Sequence, residues 1–212
     1  MSKDPYPDQR PLRELYLRLM EELKRRYNIL LDVLAVKFSL PQGIATELCY
    51  LQLRMICELI ALACLAAHGD IPGARTGKLR KAYAPGIILT ELERLHPDFY
   101  PTPGQQIRAA DGKPKELRSI KSGYLTKKEL LKLWADCGDR LHRGSIKNAD
   151  QLPVVDFDKI REWEQKIRTL LNHHQIQLQN PKYQLWIIMQ AESDGRVHGS
   201  LFEKVSDAKP QA

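Results

Sequence analysis

The sequence predicts a mainly α-helical protein: an antiparallel bundle of about four main helices, with a basic inserted region and a small C-terminal antiparallel β-hairpin or meander. Three observations lead there. Apolar residues recur at steps of three and four along two long N-terminal stretches. Two later stretches repeat the pattern, each behind a residue suited to cap a helix. The C-terminal segment then changes to β-forming residues around a turn signal.

The first helix opens near Pro11, since proline suits a first turn where its missing N–H costs nothing. Leu12, Tyr16, Leu19, Leu23, Tyr27, Leu30, Leu34 and Phe38 then mark one face of a long helix. Ser39-Leu40-Pro41-Gln42 has the form of a capping box for a second helix. Its stripe is Ile44, Leu48, Leu51, Met55, Leu59, Leu62 and Ala66, and Gly69 with Pro72 stops it. Two long helices joined by a tight corner bury such stripes by packing antiparallel.

Residues 69–124 read as an insertion. A short helix is predicted over Gly86 to Leu95. His96 to Gly104 contains three prolines and cannot form a long regular element. Ile107 to Ile120 is either a small hairpin around Asp111-Gly112 or an ordered loop. Thr126-Lys127-Lys128-Glu129 is a second capping box, with Leu130, Leu133, Trp134, Cys137 and Leu141 on one face and Gly144 as the stop. Asp156 caps a fourth main helix with Ile160, Trp163, Ile167, Leu170 and His174 inward. Tyr183 to Met189 and Val197 to Val205 flank the turn Ser193-Asp194-Gly195, and Ile176 to Gln179 supplies a third short strand. The domain plan is therefore a helical domain over 1–175 with a β-appendage, 176–206, packed on it.

Composition narrows the function. The chain has 212 residues, enough for one domain with a proper core. No run of eighteen apolar residues occurs, so no membrane span is expected. The N-terminus MSKDPYPDQR lacks the apolar core of a secretory signal. With four cysteines and no dense spacing, reduced thiols in a cytoplasm are expected. The net charge is +7. Residues 1–70 carry nine basic and nine acidic groups and residues 151–212 carry eight and eight, so the whole excess lies in 71–150. Its basic residues include Arg75, Lys78, Arg80, Lys81, Lys113, Lys115, Arg118, Lys121, Lys127 and Lys128. A localised basic segment points to RNA or another polyanion as partner, or else to a solvated lysine-rich loop.

The stretch DCGDRLHRGS, Asp136 to Ser145, brings Arg140, His142 and Arg143 to one helix end. Two long helices, an insertion, and then a helix ending Leu141-His142-Arg143-Gly144 resemble the HEPN superfamily of small helical bundles. That resemblance implies a frequently dimeric fold and, in active members, a metal-independent ribonuclease. It gives His142 the proton transfer, with arginine stabilising the phosphate. The family arginine position, five residues before His142, holds Cys137, and Gly138 takes the usual polar position. Arg140 is roughly 200° around the helix from His142. Arg168 to His173 repeats the family spacing one helix later, with Thr169 at the polar position. The charge map and this cluster together point to a HEPN-like domain that binds RNA or another polyanion through residues 71–150 and the His142 helix end, with Arg140, His142 and Arg143 as candidate catalytic residues. The alternatives are a non-catalytic interaction or dimerisation module, or a toxin- or defence-type ribonuclease.

Other groups remain open. Cys57, Cys64 and His68 fall within about 40° of one helix face and suit either a zinc site with Cys137 or His142, or a core. Glu58 is a solvated residue, a partner of Arg54 one turn away, or a partly buried acid paired with Arg140 or His142. Tyr83, Phe99, Tyr100 and Tyr124 either stack on bases or pin the insertion to its own domain. No Gly-rich phosphate loop, Ser-His-Asp order or paired-carboxylate signature is present, and no cofactor is expected.

Overall fold

The structure is a computed structural model that describes residues 10–108, 110, 114–142 and 155–203. It is mainly helical with one antiparallel sheet. The helices are α1 (Arg10–Leu34), α2 (Gln42–Ala67), α3 (Gly77–Arg80), α4 (Pro85–Leu95), α5 (Lys127–Leu141) and α6 (Phe157–Leu171), with a 3-10 turn over Pro72–Arg75. The strands are β1 (Thr102–Arg108), β2 (Pro114–Ser119), β3 (His173–Gln177), β4 (Tyr183–Ile188) and β5 (His198–Glu203), in the spatial order β2-β1-β3-β4-β5.

Helix α1 buries Tyr16, Met20, Leu23, Leu30, Val33 and Leu34, close to the expected stripe. It ends four residues earlier than that stripe suggests, and Phe38 is exposed. The end is a Schellman motif: Lys37 N–H donates to Asp32 O and Val36 N–H to Val33 O, both at 3.0 Å. Val36 takes φ 55° in the position glycine usually fills. The Ser39 capping box does not form. Pro41 is the N-cap of α2 and no side chain caps it. Ser39 stands two residues too early to reach the first amides.

Helix α2 is the centre of the fold, in contact with α1, α4 and α5. The stripe expected to be buried is mostly its more open face: Ile44 and Leu51 are exposed, and Leu48, Met55 and Leu62 are half-buried. The core face is Cys49, Leu53, Ile56, Ile60, Cys64 and Ala67, all buried. By length and composition α2 could cross a membrane, and most of its surface is packed inside the protein.

The insertion is not a separate loop. Of the two alternatives for Ile107 to Ile120, the paired one holds: β1, which starts five residues earlier at Thr102, pairs with β2 from Gly104↔Ser119 to Arg108↔Pro114, while the expected turn Asp111-Gly112 lies outside the described residues. Thr102 and Pro103 then pair with Gln175 and His174, which joins the hairpin to the C-terminal strands in one sheet. Helix α6 ends at Leu171 and not beyond His174. Its Asp156 cap forms, the carboxylate accepting from Lys159 N–H at 3.0 Å. His174 is therefore a strand residue, and β3 starts three residues before the strand expected at Ile176.

Candidate nucleic-acid interface

Helix α5 sets the predicted site. Thr126 accepts from Glu129 N–H, and Glu129 reaches back to Thr126 N–H at 3.0 Å, so the capping box is complete. Lys166 of α6 also donates to the Glu129 carboxylate. Despite some burial, these bonds hold the Glu129 carboxyl down at about 2. Leu130, Leu133 and Cys137 then point into the core.

The other end of α5 carries two of the candidate catalytic residues. His142 is the C-cap, exposed, with its backbone N–H donating to Gly138 O at 3.1 Å. Arg140 lies in the last turn, with its guanidinium 5.5 Å over the Tyr50 ring of α2. A cation there also meets the partial negative charge of the helix end. Arg143 and Gly144 lie outside the described residues. Cys137, at the position of the family arginine, is fully buried, and burial pushes its thiol up to about 12.

Glu58 does not serve this helix end. It accepts from Trp134 Nε1 at 2.9 Å and pairs with Arg54 at 3.4 Å, while the Arg54 guanidinium stacks 4.3 Å from the Trp134 ring. The cause is register. α5 brings Trp134 opposite Glu58 and Arg140 opposite Tyr50, eight residues or about 12 Å further along α2.

The basic insertion is partly neutralised by α4. Lys78 is 4.0 Å from Glu91, and Lys127 pairs with Glu93. Lys81, Lys121 and Lys128 are exposed and make no ion pair among the described residues; Arg118 is exposed on β2. The backbone of Arg75 ends the 3-10 turn, that of Arg80 ends α3 and that of Lys115 lies in β2, whereas Lys113 is outside the described residues. Of the aromatics, Phe99 is buried and Tyr100 donates to Leu125 O at 3.0 Å, so both pin the insertion to the core. Tyr83 stays exposed.

The Cys57, Cys64, His68 trio does not converge as metal ligands. Both thiols are buried, and burial raises both. His68 turns Nδ1 to Cys64 O at 2.8 Å and Nε2 to Gln177 O at 3.1 Å, so neither ring nitrogen is directed at a shared ion. Arg168 and His173 also separate. Arg168 is on α6, 3.5 Å from Glu164, whereas His173 opens β3. The helix ends between them, so the spacing that would place both on one face is broken.

Several features escaped sequence reading. A cleft of about 330 Å³ between α1 and α6 holds Tyr27, whose hydroxyl donates to Glu164, and Arg168 lines it too. Within it Glu164 accepts from Tyr27 and pairs with Arg168 at 3.5 Å. His174 and Tyr16 form a fully buried pair, with Tyr16 Oη 2.6 Å from Nε2. The outer sheet face carries Trp186 and Phe202 stacked with centroids 4.2 Å apart. A strict two-residue alternation along β4 puts Trp186 on the face opposite Leu185 and Ile187, but nothing local names Phe202 as its neighbour. No protein-family model, no curated protein and no solved structure matches this chain.

Proposed function

We propose that this chain is a HEPN-like helical domain, with α1, α2, α5 and α6 as its bundle, that binds RNA or a related polyanion. The observation that carries it is the charge map. The entire +7 lies in residues 71–150, where Lys81, Lys121 and Lys128 stand exposed without an acidic partner among the described residues. Binding, rather than cleavage, is the reading the residues favour. A neutral buried thiol at Cys137 cannot replace a guanidinium beside phosphate. Affinity for generic RNA should fall linearly with the logarithm of salt, and Lys121→Glu with Lys128→Glu should lower the slope by about two, one per lost phosphate contact. Absence of binding at low salt, or salt-insensitive binding, would end this reading.

A second reading, a protein-interaction module, has one observation of its own. Val36, Phe38, Leu40 and Ile44 are all exposed around the α1–α2 corner, up to 81% for Val36. Light scattering of Phe38→Ser with Ile44→Ser checks it; the mass should fall from dimer to monomer, and an unchanged mass would dismiss it.

A further inference from the structure

The sheet has two unlike faces. Ile176, Leu185 and Ile187 are buried against the helices. The alternate residues face outward: His173 and Gln175 on β3, Trp186 on β4, and Ser200 and Phe202 on β5. Trp186 pairs directly with Ser200, so Phe202 is its diagonal neighbour, and the two rings lie nearly parallel at 29°. Gln106, His173, His198 and Ser200 complete a shallow cleft of about 80 Å³ around them. The rings cover one face of each other, so a planar heterocycle can lie on the open outer face of the pair, with amide, hydroxyl and imidazole groups of the cleft at its rim.

His198 belongs to a second, larger depression. An open groove of about 1000 Å³ runs between α1 and β5, and His198 lines both it and the aromatic cleft. Gly199 lets α1 approach here, since a Cβ would stand 2.8 Å from Leu17 and 3.0 Å from Ile187. The groove contains three acids and three arginines. Every acid is engaged. Glu14 pairs with Arg10 at 3.1 Å, Glu21 accepts from Val197 N–H at 2.7 Å, and Asp194 accepts from Arg196 N–H at 2.9 Å and from His198 Nε2 at 3.0 Å. Arg18, Arg25 and Arg196 are exposed and make no ion pair among the described residues. Three exposed guanidinium groups in a groove that shares His198 with an aromatic cleft are complementary to a phosphate backbone that carries an unstacked base.

We propose that this face binds single-stranded nucleic acid, with one base extending the Trp186–Phe202 stack at its open end and the adjoining phosphates along Arg18, Arg25 and Arg196. The proposal deepens the polyanion reading and rests on it. It adds the strandedness of the ligand, and it places the base-contacting surface on the sheet and not at the His142 helix end. Duplexes present no free base faces to the cleft, so they are left with the charge term alone.

Fluorescence anisotropy tests it, with a labelled single-stranded oligonucleotide (as RNA and as DNA), the matching duplex, and inorganic polyphosphate as a base-free polyanion. The single strand should bind about tenfold more tightly than the duplex, the order expected for one stacked base. Trp186→Leu and Phe202→Leu should each remove that preference and leave polyphosphate binding unchanged. Trp186→Phe should keep it, which separates stacking from damage to the sheet. Arg18→Glu with Arg196→Glu should weaken all three ligands. Circular dichroism checks each variant, and because the wild-type comparison of single strand with duplex needs no variant, a misfolded mutant cannot shelter the idea. Polyphosphate binding with no preference for the single strand, or an unaltered preference in folded Trp186→Leu and Phe202→Leu, overturns this proposal alone. Failure of every polyanion to bind overturns the general reading with it.

Discussion

His174 at the start of β3 and His68 at the end of α2 are both buried, and each places both ring nitrogens on polar partners. The partners differ in kind. His174 Nδ1 donates to Leu171 O at 2.8 Å, and its Nε2 accepts from the Tyr16 hydroxyl at 2.6 Å. One donor and one acceptor are what a neutral imidazole offers. His68 faces two carbonyls, which only the imidazolium could satisfy with two N–H donors. His96 Nε2 lies on the same Gln177 O, at 2.9 Å. Burial lowers both buried histidines; one carbonyl contact opposes it at His174 and two oppose it at His68. The lesson is that burial alone does not set the charge of a histidine; the donor or acceptor character of its neighbours decides how firmly it stays neutral.

The largest effects should come from breaking the matched site. His174→Ala leaves a cavity beside Tyr16 and strands its hydroxyl and the Leu171 carbonyl, which costs about 3–5 kcal/mol in urea unfolding. Tyr16→Phe removes one bond and should cost about 1–2 kcal/mol. The same site predicts a pH dependence. His174 is held at about 4 in the folded chain, against an ordinary value of 6.5. Between those pH values the unfolded chain binds a proton that the native state refuses, so stability rises with pH across that window. The contribution is complete above pH 6.5 and lost towards pH 4, about 3 kcal/mol in all. Glu129 acts in a lower window, losing its contribution only as pH falls from 4.5 towards 2. If His174→Ala, measured from pH 7 to 4, keeps the wild-type slope, the assignment to His174 is wrong.

This contrast also marks what could be read from the chain. The capping box at Thr126, the Asp156 cap and the stripes of α1 and α6 are local patterns, complete within a few turns, and the structure contains them. The buried face of α2 was misplaced because α2 is apolar nearly all round, so periodicity could not choose which side α1, α4 and α5 would cover. The sheet was underestimated because β1 joins β3 across a long separation, and its Thr102-Pro103-Gly104 start carries loop residues, not strand formers. Tyr16 and His174 are 158 residues apart, so neither could announce the other. For the candidate site, the exposed His142 helix end and the lysines were legible as charge. The groove was not, since Arg18 and Arg25 of α1 meet Arg196 and His198 only across a long separation in sequence.

The smallest effect, and the sharpest on the comparison, concerns His96. With His96 donating to Gln177 O, His68 needs only one proton, on Nδ1 towards Cys64 O, and stays neutral with its Nε2 lone pair facing a carbonyl already served. Removing His96 leaves Gln177 O without that donor. The best remaining donor is His68 Nε2, which can supply a proton only by charging the ring or by giving up the bond to Cys64 O. His96 also stands 5.0 Å from the His68 ring and adds like charge whenever both are protonated, a further weight against charging His68. His96→Leu should therefore raise the His68 titration midpoint in a proton NMR titration, while His174 stays where it is. Because an imidazolium at His68 would satisfy both carbonyls, the variant should lose little stability below the new midpoint and more above it, the opposite sign to the His174 window. A His68 midpoint that stays put in His96→Leu would show that burial alone governs His68, and the contrast with His174 would reduce to depth.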